Sequence, residues 1–320
     1  MQAGNQRPNG RIVTLTVNPA IDGACEAEAV RPIHKIRTTN ETFTPGGGGI
    51  NVARVIHELG GEALAIYLAG GATGPVLDSL VDELELHHRT IPIAGNTRIA
   101  QVVYERSSGL EFRFVPQGPL VRESEWRACL ETLESTDCDY LVASGSLSPG
   151  MPANFYTHVQ DIAARKGAKF VLDTSGEELA ASLHKGGIHF VKPSIGEFEA
   201  LIGRSLPTVA EQDEAISTFA RQGVVDYLCV TLGRDGAVFA DRDGLLRLRS
   251  PEVEAKSAVG AGDSFVGAMA YALSIGRKPR EAFAYGVAAG TAAVLHHDPY
   301  LCTRADVDRL YAQITSGVAL

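Results

Sequence analysis

The residues best suited to chemistry in this chain are Gly260, Ala261, Gly262 and Asp263, which run directly into an apolar stretch. Phe265, Val266, Met269, Ala270 and Leu273 recur at helical spacing, so Asp263 sits at or near a helix N-terminus. Unpaired amides and the helix dipole make such an end an anion site. Glycines on both sides of Ala261 let the backbone approach a ligand without a Cβ in the way. A carboxylate beside free amides is suited to taking a proton from a hydroxyl while the amides hold the oxygens of a transferring phosphate. The same residues also fit an ordinary acidic N-cap after a flexible turn.

Two further clusters carry polar or glycine-rich chemistry. Residues 11–17 alternate and are β-branched, which predicts an opening strand. The turn Asn18-Pro19-Ala20-Ile21-Asp22 leaves Asp22 at its C-terminal end, where open α/β sheets bind ligands. A simple Asx turn is the competing reading. Gly46, Gly47, Gly48 and Gly49 precede Ile50, Asn51 and a helical run over 52–59 that Gly60 and Gly61 stop. Four glycines before a helix expose several amides. No Gly-Lys-Ser/Thr follows them and they do not form a GxGxxG turn, so a plain glycine-rich turn fits equally well.

The elements that must position these residues follow from periodicity. Strand-like runs at 140–143, 169–173, 189–192 and 227–231 alternate with helical stretches near 122–136, 152–166 and 208–222. That alternation predicts a parallel sheet with crossover helices, its strand ends gathered into a cleft. Residues 24–44 lack helical periodicity, and the runs 99–106 and 110–115 are joined by the turn Ser107-Ser108-Gly109. These two excursions predict a small accessory β-sheet able to close over the site as a lid. The expected division is a flexible tail over 1–10 and one α/β domain over 11–320, with lid segments at about 24–44 and 96–116.

Composition narrows the function class. At 45% hydrophobic and 21% charged residues, the chain has ordinary values for a soluble protein with a sizeable core. A net charge of −9 argues against nucleic-acid or anionic membrane partners. Five scattered cysteines without a CxxC pair suggest neither a disulfide framework nor a thiolate metal site. The first nine residues lack the apolar core of a signal peptide, and the small-apolar run 282–295 falls short of the about 20 residues a bilayer requires. A cytoplasmic protein is expected.

The motifs TLTVNPAID, PGGGGINVARVI, LAGGATG, SGSLSPG, VLDTSGE, VKPS, TLGRDGA, SAVGAGDSFVGAM and GVAAGTAA occur together and in this order. The set resembles the ribokinase/PfkB family of sugar kinases over about residues 11–311, and within it the PfkB-type 6-phosphofructokinases. The all-glycine form of the early loop is the closer pointer, because related 1-phosphofructokinases and tagatose-6-phosphate kinases usually carry a lysine there. The resemblance implies a ribokinase-like central, mostly parallel sheet flanked by helices, with a β-sheet lid. It implies Asp263 as the base for the sugar hydroxyl, with the amides of Gly260, Ala261 and Gly262 as an anion hole. Asp22, Gly46, Gly47, Asn51 and Ser146 would hold the sugar, and Lys35, Arg37 and Arg98 its phosphate. Lys192, Ser194, Thr231, Gly233 and Gly236 would line the ATP phosphates, and Gly290 and Thr291 would border the adenine. Glu197 would organise Mg²⁺ through water, as against a helix-surface or capping acid. Ser257 and Val259 would offer oxygens to K⁺.

Two departures stand out. Ser194 replaces the usual Asn of the family's Asn-x-x-Glu element, which predicts altered Mg²⁺ dependence without loss of activity. His296-His297-Asp298-Pro299-Tyr300 replaces a glycine-containing turn that normally helps bind adenine and the monovalent cation. The paired histidines have no third ligand in sequence and fit an exposed turn better than a metal site.

The implied activity is ATP-dependent phosphorylation of fructose 6-phosphate at its C1 hydroxyl, with Mg²⁺ required. Tagatose 6-phosphate or fructose 1-phosphate is the in-class alternative, and a non-catalytic sugar-phosphate or nucleotide sensor the out-of-class one. A homodimer through the lid sheet is expected, since its alternating strands otherwise leave an exposed edge.

Overall fold

The computed structural model describes residues 10–296, 301–316 and 318. The predicted tail, apart from Gly10, lies outside the described residues, as do His297, Asp298, Pro299 and Tyr300.

The chain opens with β1 (Ile12–Thr16), β2 (Ala20–Ala27), β3 (Thr38–Gly46) and α1 (Gly48–Glu58). Next come β4 (Ala63–Gly70), α2 (Gly74–Asp82), β5 (His88–Ile93), β6 (Arg98–Glu105) and β7 (Leu110–Phe114). An alternating section follows: α3 (Glu123–Ser135), β8 (Tyr140–Ser144), α4 (Phe155–Lys166), β9 (Lys169–Asp173), α5 (Gly176–Lys185), β10 (Ile188–Val191) and α6 (Ile195–Ile202). The last elements are α7 (Val209–Arg221), β11 (Val225–Thr231), β12 (Ala237–Ala240), β13 (Leu245–Leu248), α8 (Ala261–Ser274), α9 (Pro279–Ala293) and α10 (Arg304–Thr315).

Nine strands form the main sheet in the order β13-β12-β11-β10-β9-β8-β1-β4-β5. Pairing is parallel from β5 through to β11, and only the terminal hairpin β11-β12-β13 is antiparallel. β1 lies between β4 and β8 and buries all five of its residues, so it carries no polar alternation; both faces of a parallel sheet are covered by helices. One face packs on α1, α8 and α9 through Val55, Phe265, Met269 and Phe283. The other packs through Trp126, Phe155, Val159 and Ile216 of α3, α4 and α7. α8 and α9 approach closely because Gly286 has no side chain: a Cβ there would lie 3.1 Å from the Phe265 carbonyl oxygen.

A separate four-stranded sheet runs β3-β2-β6-β7, with β2 and β6 parallel and the outer pairs antiparallel. β2 starts four residues after β1 ends, and β3 ends at Gly46, next to the glycine run. The small sheet is therefore tied to the C-terminal edge of the main one. No helix among the described residues is long and apolar enough to cross a membrane.

Candidate active site

The C-terminal ends of the parallel strands bring Thr16, Ser144, Asp173, Lys192 and Thr231 to one edge, and the N-terminus of α8 points at that edge. Gly260 caps α8 with φ 71°, a left-handed conformation that favours glycine, and a Cβ there would overlap Leu301 Cδ2. The helix's own ladder begins with the Ser264 N–H donating to the Gly260 carbonyl at 2.8 Å. The amides of Ala261, Gly262 and Asp263 precede that first bond and are left for a ligand. Asp263 is thus the third residue of α8, as its place in the sequence predicts.

Asp263 is partly buried, and its Oδ2 accepts a hydrogen bond from Asn51 Nδ2 at 2.9 Å. Burial pushes its pKa up to about 7; the nearby Asp173 and Asp22 carboxylates push the same way, while the Asn51 amide and the Lys192 ammonium hold it down. A carboxyl with its pKa raised toward 7 is in the range that favours general-base work on a hydroxyl near neutral pH. Lys192 is only 7% exposed, and its Nζ lies 3.3 Å from Asp173 Oδ1. Burial alone would depress the Lys192 pKa, but Asp173, Asp263 and Glu197 outweigh it and the net shift is upward, so the side chain stays charged. The ammonium also faces the start of α8: a Cβ on Gly262 would lie 3.1 Å from Nζ. A lysine and a helix N-terminus aimed at one spot make a place for transferring phosphate oxygens.

The glycine run packs against the strand ends. A Cβ on Gly46 would overlap Asp22 Oδ2, one on Gly48 would overlap Ser144 Oγ, and one on Gly49 would overlap the Leu15 carbonyl oxygen. Gly47 has φ 112°. The Ile50 N–H donates to Thr16 Oγ1 at 2.9 Å, fixing the start of α1 on β1. This seating carries Asn51 to Asp263, and it places Gly46 against Asp22.

Other expected site residues are engaged differently. Arg98 donates to three backbone carbonyls, Asn18 at 2.8 Å, Pro116 at 2.9 Å and Pro19 at 3.4 Å, which leaves two of its five N–H donors. It ties the start of the small sheet to the end of β1, and with Thr97 and Gln117 it lines a cavity of about 590 Å³. Ser146 Oγ lies 3.5 Å from Asn18 Nδ2. Lys35 and Arg37 are exposed in the connection between β2 and β3.

On the opposite flank, Ser194 caps α6. Its backbone N–H and hydroxyl both donate to Glu197 Oε2, at 2.7 and 2.8 Å, and the Glu197 N–H returns to Ser194 Oγ at 3.3 Å. The capping-box reading of this pair therefore holds, whatever else Glu197 does. The Thr231 N–H donates to the Pro193 carbonyl at 3.0 Å, joining the ends of β10 and β11. Gly233 (φ 61°) opens a short 3₁₀ turn, whereas Gly236 is occupied by its own hairpin: a Cβ there would overlap the Leu248 carbonyl oxygen.

Gly290 and Thr291, expected beside a purine, lie in the last turn and a half of α9, Gly290 partly exposed and Thr291 buried. Gly290 lies against the Ala261 carbonyl, and the Thr291 hydroxyl donates to Val287 O at 2.8 Å and lies 3.2 Å from Ser250 Oγ. Ser257 Oγ accepts from the Val259 N–H at 3.2 Å. His296 Nε2 lies 3.2 Å from Asp306 Oδ2 at the start of α10. No group of three or more His, Cys, Asp or Glu side chains among the described residues could hold a metal ion. The five cysteines are buried free thiols.

Sequence reasoning missed Asp173 and Arg54 as site residues. Asp173 ends a parallel strand, the same signal that singled out Asp22. Arg54 was visible as the one charge within the apolar run Val52-Ala53-Arg54-Val55-Ile56, three residues after Asn51, on the same helix face. Its NH1 donates to Asn51 Oδ1 at 3.0 Å and to the Pro45 carbonyl at 3.2 Å.

Comparison with known proteins agrees with this arrangement. Residues 18–306 match the family model described as pfkB family carbohydrate kinase. The chain is 39% identical over 306 residues to the ATP-dependent 6-phosphofructokinase isozyme 2 of Escherichia coli K12, covering 95% of this chain and 99% of that one. Solved structures of phosphofructokinase-2 from E. coli superpose closely. The complex with fructose-6-phosphate gives a TM-score of 0.90 at 38% identity, covering 96% of this chain and 99% of that one. The complex with potassium gives 0.92, at the same identity and coverage. A tetrameric inhibited form of the same enzyme gives 0.90, again at 38% identity with 96% and 99% covered.

Proposed function

The chain belongs to the pfkB family of carbohydrate kinases, and on that premise we propose that it transfers the γ-phosphoryl group of ATP to the C1 hydroxyl of fructose 6-phosphate. The observation that carries the reading is the convergence of Asp263, Asn51 and Lys192 at the start of α8. The carboxylate of Asp263 takes the hydroxyl proton as the oxygen attacks phosphorus. The amides of Gly260, Ala261 and Gly262 and the Lys192 ammonium take up charge on the γ-phosphoryl oxygens. Asp22, held against Gly46, accepts from sugar hydroxyls, and Ser146, next to Asn18, offers a further hydroxyl. Arg98, Lys35 and Arg37 supply the cations for the 6-phosphate. Ser194, Thr231 and Gly233 form the nucleotide flank.

Magnesium fits this donor set only as a partly hydrated ion. Glu197 offers a single carboxylate, already held by Ser194, and Mg²⁺ commonly binds through one or two carboxylates, several waters and substrate phosphates. Mg²⁺ held there would neutralise phosphate charge, and Glu197 would hold one of its waters. Ser257 and Val259, in the segment before α8, are the proposed potassium ligands.

We further read the small sheet as a lid, and a second copy of the chain as its cover. Leu110 (62% exposed) and Phe114 (55%) on the outer strand β7 would otherwise present an apolar edge to water. Sedimentation at micromolar concentration showing only monomer would overturn the dimer. A cytoplasmic location, where ATP and sugar phosphates are held, goes with this activity.

The deciding experiment is coupled ADP release with fructose 6-phosphate, tagatose 6-phosphate and fructose 1-phosphate. The highest kcat/KM is expected for fructose 6-phosphate, since epimers differ by single hydroxyl contacts. Sugar-phosphate binding without turnover on any of the three would support a sensor and sink the kinase reading.

A further inference from the structure

We propose that Arg54 is a positioning residue for phosphoryl transfer: its guanidinium fixes which end of the Asn51 amide faces Asp263. An amide side chain has one accepting end and one donating end, whereas an arginine only donates. Arg54 NH1 can therefore be met only by Asn51 Oδ1, at 3.0 Å, which leaves Asn51 Nδ2 to donate to Asp263 Oδ2 at 2.9 Å. The pairing is built into α1, where residues three apart share a face. The same NH1 donates to the Pro45 carbonyl at 3.2 Å, immediately before Gly46, whose missing side chain admits Asp22. One guanidinium thus ties the sugar-side loop to the reacting carboxylate.

Without Arg54 the amide is free to turn its oxygen toward Asp263, replacing a donor with a repelling acceptor. The groups facing Asp263 are Asp22 from the small sheet, Asp173 at the end of β9, Lys192 after β10, and Asn51 and Arg54 from α1. Of the two cations, Lys192 is shared with Asp173, so removing Arg54 leaves the carboxylates in excess. The base then becomes harder to ionise as well as less well oriented.

This inference rests on Asp263 acting as the base, so the parent protein's turnover is measured first; a parent without turnover defeats that assignment and not the geometry argued here. Arg54→Met, which keeps the apolar stem, is then compared with the parent in kcat, KM for each substrate and the pH profile. A fall in kcat of about 10- to 100-fold is expected, with the acid limb of kcat/KM moved up by about half to one pH unit and KM for ATP within about threefold. A variant with kcat within twofold of the parent, or with an unmoved acid limb, overturns the proposal. If Arg54→Met does not fold, Arg54→Lys decides. It keeps the charge and loses the fork, so the acid limb should stay in place while kcat falls about 3- to 30-fold. Parent-like kcat in that variant, or failure of both variants to fold, overturns the proposal, because the side chain would then serve the fold alone.

Discussion

Replacing Asp263 by Asn should damage catalysis and stabilise the protein at once. The substitution keeps size and shape, and Asn51 Nδ2 can still donate to the new amide oxygen. Loss of a general base typically lowers kcat by about 10²- to 10⁴-fold. The stability change follows from the carboxyl's raised pKa. Burial, followed by the Asp173 carboxylate, lifts it from 3.8 to about 7 in the folded chain. The folded state then binds the proton more tightly than the unfolded one, so ionising Asp263 costs stability as pH rises from near 4 through 7. The full difference would be about 4 kcal/mol at most. Residual exposure and screening bring the expected gain for Asp263→Asn to about 1–2 kcal/mol at pH 8. At about 2 °C per kcal/mol for a chain of this size, the variant should melt about 2–4 °C above the parent at pH 8, and the two should converge toward pH 4. Scanning calorimetry across that range, with turnover measured on the same samples, tests both halves. A melting difference that stays flat with pH, or a kcat within tenfold of the parent, would refute the reasoning.

The parent enzyme should lose kcat/KM as pH falls through about 7, because protonating Asp263 removes the base; a flat profile from pH 6 to 8 would count against it. Gly49→Ala should be structurally damaging by about 1–3 kcal/mol, since its Cβ would run into the Leu15 carbonyl oxygen and backbone cannot yield as a side chain does; an unchanged denaturation midpoint would contradict this. Glu197→Gln should leave the α6 capping box largely in place, since a glutamine oxygen accepts the same two bonds, and should raise the Mg²⁺ concentration for half-maximal rate; an unchanged Mg²⁺ titration would confine Glu197 to the cap. Arg98→Ala should raise KM for the sugar phosphate by about tenfold or more while also loosening the end of β1, and a parent-like KM would remove Arg98 from the phosphate site.

Much of the main domain was legible from local signals. Helices α3, α4 and α7 fall within two or three residues of the helical periodicity, because each carries a strong apolar stripe; α7 is also marked by its Thr208–Glu211 capping box. Strands β8, β9 and β11 likewise coincide with their β-rich runs. The section β4-α2-β5 was not resolved into elements: β4 reads Ala-Leu-Ala-Ile-Tyr-Leu-Ala-Gly and is buried on both faces, so it has no period to separate strand from helix. Helices α5 and α6 escaped notice because they have only 10 and 8 residues. The antiparallel hairpin β12-β13 at the sheet's edge was equally invisible, since pairing direction is a long-range property.

By itself the sequence determined that Asp263 sits at or near a helix N-terminus after a glycine-containing turn, that four glycines precede a second helix, and that a parallel sheet carries both. Spacing and turn chemistry are local, and they suffice for that. Only the tertiary structure decided that Asn51, 212 positions away in the chain, donates to Asp263, and that Lys192 lies between Asp173 and the start of α8. It also set Gly290 against the Ala261 carbonyl where α8 and α9 meet, and gave Glu197 to Ser194 as a cap. Those outcomes depend on which strand ends meet on one edge of the sheet. Burial and charge at that meeting point, more than residue type, set the protonation of Asp263.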